Sequence, residues 1–109
     1  MTAQGSSRAV FRRAIDRGNV VVAEITAREL GRLDLGEALE LAALIAKHDP
    51  RVRGRRATAR WLLRWLEQAG SPTIDEAVMV AGNLAALGGE AHGPALACLR
   101  EAARRVGRR

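Results

Sequence analysis

Asp34-Leu35-Gly36-Glu37-Ala38-Leu39-Glu40-Leu41-Ala42-Ala43-Leu44-Ile45-Ala46 is matched 39 positions later by Thr73-Ile74-Asp75-Glu76-Ala77-Val78-Met79-Val80-Ala81-Gly82-Asn83-Leu84-Ala85. Each segment opens on a residue able to cap a helix, Asp34 or Thr73, and carries glutamate three residues on, the pattern of a capping box. Alanine then recurs at matched places (Ala38/Ala77, Ala42/Ala81, Ala46/Ala85), and larger aliphatics match as Leu39/Val78, Leu41/Val80 and Ile45/Leu84. Apolar residues at three- and four-residue spacings predict an amphipathic helix in both segments.

The flanking sequence reads the same way. Ser6 and Ser7 can cap a first helix over 8–17, closed by Gly18, where the left-handed conformation carries no Cβ penalty. Asn19 can cap a second helix over 20–32. The third runs from the Asp34 cap to His48 and is stopped by Asp49-Pro50. A fourth is expected over 55–68, a fifth over 74–87, and a sixth with Pro94 in its first turn, reaching about Val106. No segment alternates as a strand does. The expected class is therefore all-α, with six helices as three antiparallel hairpins, since the connections are short. A short right-handed solenoid and a compact helical bundle both satisfy the apolar spacing. Leu41, Ile45, Leu62, Leu66, Leu84 and Leu99 are the expected core. Residues 1–7 are read as a disordered tail, 8–106 as one helical domain and 107–109 as a basic tail.

The second helices of the later hairpins also align, at a spacing of 40, through Ala59/Leu99, Arg60/Arg100, Leu62/Ala102 and Arg64/Arg104. With this unit length and alanine-rich pairing, residues 8–106 resemble HEAT and tetratricopeptide repeats in architecture. The tryptophan, glycine and tyrosine signature of tetratricopeptide repeats is missing, as is the Thr-Pro-Leu-His of ankyrin repeats, so no family residue is carried over. The resemblance implies protein or peptide binding.

The 109 residues include 18 Lys and Arg against 12 Asp and Glu, a formal net charge of +6. Lys47 is the only lysine. With the alanine, glycine and valine content, this is the codon choice of a high-GC, bacterial genome, and it says less about ligands than the total suggests. Only Phe11, Trp61 and Trp65 are aromatic, so no aromatic series interleaves the arginines to stack bases. No apolar run has the length of a membrane span. A single cysteine excludes an intramolecular disulfide. Cytoplasm is the expected compartment.

Catalysis finds little support. His48 and His92 lie in different hairpins, and neither has a histidine or cysteine at a metal-ligand spacing. Cys98 sits among small residues (Ala95, Ala97), where a partly buried, inert thiol is expected. Gly88-Gly89 is followed by Glu90 and no lysine, which is not a phosphate loop. A helix-turn-helix pattern tried around Gly18, Gly31 and Gly70 puts Glu24, Glu37 or Glu76 where a buried aliphatic belongs. The expectation is no enzyme, no cofactor and no metal.

The distribution of charge is more informative. Between Asp34 and Pro50 there are four acids and one lysine; between Arg51 and Gly70, six arginines and one acid. Ser71 to Leu99 holds three acids and neither lysine nor arginine, and five arginines follow from Arg100 onward. In stacked hairpins this would make one face basic, on the side of the fourth and sixth helices. Arg56, Arg60 and Arg64 share a stripe at four-residue spacing, as do Arg100 and Arg104, and Arg28 is their counterpart in the first hairpin. The cluster Arg51-Val52-Arg53-Gly54-Arg55-Arg56 is read as a loop. Trp61 and Trp65, one turn apart, either pack between hairpins or stand as exposed anchors, since tryptophan and arginine dominate interface hot spots.

The candidate partner-binding residues are therefore Arg28, Arg56, Arg60, Trp61, Arg64, Trp65, Arg100 and Arg104. The expected function is a protein-interaction or adaptor module for a partner helix or acidic segment. A basic nucleic-acid-associated regulator is the second reading, and a homodimer is compatible with either.

Overall fold

The two capping boxes set the frame of the fold. In the structure, a computed structural model that describes residues 6–108, helix α3 (Leu35–His48) starts where the Glu37 N–H donates to Asp34 Oδ1 at 2.7 Å. The Asp34 N–H returns a bond to Glu37 Oε1 at 2.9 Å. Helix α5 (Ile74–Ala86) repeats the arrangement, with Glu76 N–H to Thr73 Oγ1 and Thr73 N–H to Glu76 Oε1, both 3.1 Å. Ser6 caps α1 (Ser7–Arg17) and Asn19 caps α2 (Val20–Leu30), each through its side-chain oxygen. Gly18, at φ 71°, turns the chain between them. Helices α4 (Val52–Ala69) and α6 (His92–Gly107) complete the six.

The start of α4 and the outer limits of the helical domain differ from the sequence reading. Helix α4 begins at Val52, so the basic cluster read as a loop is helical. Gly54 makes this geometry accessible: a Cβ there would lie 2.5 Å from the Asp49 carbonyl oxygen and 2.9 Å from Ala46 Cα. The Gly54 N–H instead donates to that carbonyl at 2.8 Å, carrying the chain straight from α3 into α4. Helix α6 begins at His92 and so has Pro94 in its first turn, as the sequence reading has it, where its missing N–H would be unpaired anyway. At the ends, Ser7 and Gly107 are helical, while residues 1–5 of the tail expected over 1–7 and the last residue, 109, lie outside the described residues.

The three hairpins are α1–α2, α3–α4 and α5–α6. Beyond these pairs, α3 packs on α6 and α4 on α5, so the last four helices close into a ring, with α3 opposite α5 and α4 opposite α6. This is a four-helix bundle with a hairpin leaning on it, because α1 and α2 both rest on α3. Leu39, Trp65, Val80, Leu87 and Leu99 form the center of the bundle core, and Phe11, Ala14, Ala23 and Leu44 form a second cluster beneath the hairpin. Helix α3 is accordingly apolar on most of its circumference, as an element with neighbors on several sides must be.

Closure has two consequences the sequence did not reveal. First, matched positions are not equally buried. Leu39 is fully buried but Val78 is 64% exposed, and Ala42 and Ala46 are buried while Ala81 and Ala85 face outward. Helix α5 has α4 and α6 as its main neighbors, whereas α3 has the first hairpin as well. Of the expected core, Ile45, Leu84 and Leu99 are buried, but Leu41, Leu62 and Leu66 are half-buried because they line the edges of helix pairs. Second, acidic and basic helices alternate around the ring instead of separating into two faces. Arg100 of α6 thus meets Glu40 of α3 in a two-pronged bond, Nε at 2.7 Å and Nη2 at 2.8 Å.

Candidate interaction groove

Arg53, Ala57, Arg60 and Arg64 fall on one side of α4, at intervals of four, three and four residues. That side is tied to the first hairpin at two points. Arg53 pairs with Glu24 of α2, whose hydrogen bond and charge push the Arg53 guanidinium even further above its ordinary value. Eleven residues on, Arg64 Nη2 donates to the Leu33 carbonyl, between α2 and α3, at 2.6 Å. Similarly, Arg8 of α1 pairs with Glu37 of α3 at 2.9 Å. These ties hold the hairpin against the bundle, and their partly exposed ion pairs each contribute little energy.

Between the two α4 ties lies a groove of about 220 Å³. Helix α3 supplies Ala38, Leu41, Ala42 and Ile45; α4 supplies Ala57, Arg60, Trp61 and Arg64; Leu33 closes one end. Its lining is apolar apart from two guanidinium groups and contains no carboxylate. Arg60 is exposed and has no carboxylate partner among the described residues. Such a surface favors a ligand that brings apolar side chains together with negative charge.

The candidate residues from the sequence separate into distinct environments. Arg60 and Arg64 line the groove, and Arg56, exposed one turn before Arg60, lies outside its lining. Trp61 and Trp65 are 3% and 2% exposed, so they are core residues and not exposed anchors. The Trp61 indole N–H donates to the Leu35 carbonyl at 2.9 Å, fastening α4 to the start of α3, and its ring walls the groove from within. The Trp65 indole N–H is buried without a partner among the described residues. Arg28 is exposed in the last turn of α2, away from the groove lining. Arg100 is occupied by Glu40, whose hydrogen bond raises its pKa further, and Arg104 bonds Glu101 on its own helix at 2.9 Å. Ring closure brings α6 beside acidic α3 and so pairs Arg100, whereas Arg104 is held within its own helix; neither lines the groove.

A larger cleft, about 950 Å³, lies between α1 and α6 over α3. It mixes both signs: Arg12, Arg100 and Arg104 face Asp16, Asp34, Glu37 and Glu40. Most of these carboxylates are engaged, Asp34 and Glu37 in the cap and Glu40 with Arg100. No nucleophile–base pair is formed there. The His92 ring meets the Leu87 carbonyl through Nδ1 at 2.6 Å. Cys98 is exposed, contrary to the expected partial burial, because α6 buries Ala95, Leu96, Leu99 and Ala102 and turns Cys98 outward. Among the described residues no three His, Cys, Asp or Glu side chains gather to hold a metal, and no helix is long and apolar enough to cross a membrane. No family model, curated protein or solved structure matches the chain.

Sequence reasoning missed Arg53, Glu24, Arg8 and the groove-lining role of Leu41. Each depends on contacts between residues far apart along the chain. One signal was available for Leu41: α3 carries more apolar residues than a one-sided helix needs.

Proposed function

We propose that the protein is a non-enzymatic interaction module whose groove between α3 and α4 takes a short amphipathic, acidic helix from a protein partner. The supporting observation is the pairing of an apolar lining with Arg60 and Arg64 as its only charges. The ligand's aliphatic side chains would lie over Leu41, Ile45 and Ala57, and its carboxylates would reach Arg60 and, farther out, Arg56. Groove-bound helices are read through anchors at such spacings. A cytoplasmic location accords with this reading. The alternative, a nucleic-acid-associated regulator, draws on the net charge of +6 and the unpaired arginines of α4, but the tryptophans that could have stacked on bases are buried.

A labeled helical peptide with leucines on one face and flanking glutamates serves as the probe, beside its lysine counterpart and an arbitrary DNA duplex. The glutamate peptide should bind, the lysine peptide should not, and Arg60→Glu should weaken binding by roughly tenfold or more. Arg64 is the less informative position, because its guanidinium also holds the Leu33 carbonyl. Binding of the duplex alone, falling steeply with salt, would replace this reading with the nucleic-acid one.

A further inference from the structure

A second surface, on the opposite flank of α4, is lined by residues other than those of the peptide groove. The outer side of α5 exposes Ile74 (81%) and Val78 (64%) beside Ala81 and Ala85, and neighboring α4 exposes Leu63 (61%). Between the two helices runs a groove of about 400 Å³ whose lining includes Leu62 and Leu84. Three large aliphatics exposed on two neighboring helices, beside an apolar groove, are the kind of surface that a partner covers.

The charges at its two ends identify the occupant. Helices α4 and α5 are antiparallel neighbors joined by a short turn, so the end of α4 and the start of α5 lie together. Exposed Glu67 and Asp75 make that end negative. At the other end, exposed Arg55 and Arg56 outweigh exposed Glu90 of the α5–α6 turn and leave it positive, Arg55 lining the groove with Gly88. Glu67, Asp75, Arg55 and Arg56 have no ion-pair partner among the described residues. From Arg56 to Glu67 the helix rises about 16 Å, more than a Debye length at physiological salt, so the two poles do not neutralize each other. With Arg60 turned toward the peptide groove, a strip that is positive at one end and negative at the other, with aliphatics between, is complementary to itself after half a turn. That is the condition for an isologous two-fold interface.

We infer that the α4–α5 face binds a second copy of this chain in an antiparallel, two-fold dimer. Val78, Ile74 and Leu63 of each copy fill the partner's groove, and Arg55 and Arg56 of each meet Glu67 and Asp75 of the other. The dimer face shares no lining residue with the peptide groove on the other side of α4, and Arg56, exposed between them, is the one residue both readings use.

Sedimentation equilibrium of the full chain from micromolar to near-millimolar concentration is the test. The wild type should show a concentration-dependent dimer. Val78→Glu should be monomeric with unchanged helicity, as an exposed position allows. The double reversals Arg55→Glu/Arg56→Glu and Glu67→Arg/Asp75→Arg should each weaken dimerization by roughly tenfold or more. An equal mixture of the two reversals should recover the dimer, because opposite charges then meet at both ends. A wild type that stays monomeric throughout overturns the proposal. So does a dimer indifferent to Val78→Glu, or a mixture that associates no better than its components.

Discussion

Trp61 and Trp65 offer a controlled comparison, with the same residue type one turn apart on one helix and equal burial. They differ in one bond: the Trp61 N–H reaches the Leu35 carbonyl at 2.9 Å, and the Trp65 N–H reaches nothing among the described residues. Replacing either by phenylalanine removes part of a buried ring, a loss of about 1–2 kcal/mol from the area withdrawn. For Trp61→Phe the lost hydrogen bond adds about 0.5–1.5 kcal/mol. For Trp65→Phe the change instead removes an unpaired buried donor, whose burial costs about 1–3 kcal/mol, so the net effect falls near zero. Trp61→Phe should therefore be less stable than Trp65→Phe by about 2 kcal/mol, or roughly 8 °C or more in melting temperature. Urea unfolding followed by far-ultraviolet circular dichroism measures both, and the remaining indole gives an independent fluorescence trace. Equal losses in the two variants would refute the reasoning, since they would mean that packing alone governs both positions.

Gly54→Ala should destabilize the protein by about 1–3 kcal/mol or more, because the new methyl meets backbone atoms of Asp49 and Ala46 that have no room to retreat. Thermal melting checks this, and an unchanged melting temperature would mean that α3 and α4 separate readily at that end. Acid should weaken a local part of α6. The Arg104 hydrogen bond, followed by the charges of Arg104, Arg108 and Arg105, holds the Glu101 carboxyl below its ordinary value. A depressed folded-state value means that its contribution is present above the unfolded value and disappears as pH falls through the folded one. Melting curves of wild type and Glu101→Gln should therefore differ at neutral pH and converge well below the ordinary carboxyl range; a constant offset would argue against the linkage.

Six helices and four of their caps were legible in the sequence because the signals are local. A cap residue and its glutamate stand three positions apart, and an apolar stripe repeats within a turn. Closure of the ring was not legible, because it rests on contacts such as Trp61 with Leu35 and Arg100 with Glu40, 26 and 60 residues apart. The alternation of acidic and basic helices was visible, but its meaning depends on topology: stacked hairpins turn it into two faces, and a closed ring turns it into attraction between neighbors. The arginine stripe of α4 was likewise visible, and only the fold shows that Arg60 remains free while Arg64 braces a loop.

The correspondence between the two capped segments separates what a local pattern fixes from what it leaves to context. Asp34 and Thr73 make equivalent caps because a cap needs only its own first turn. Leu39 and Val78 part company because burial is decided by what lies opposite. Helix α3 has the first hairpin packed on it, and α5 has no such cover among the described residues. The inferred dimer would place Val78 against a second copy, so that the equivalence broken within one molecule is restored between two. The same sedimentation experiment therefore bears on why α5 keeps an aliphatic residue at an exposed position. If Val78→Glu proves neutral in association and in stability alike, the residue matches Leu39 without sharing any role with it.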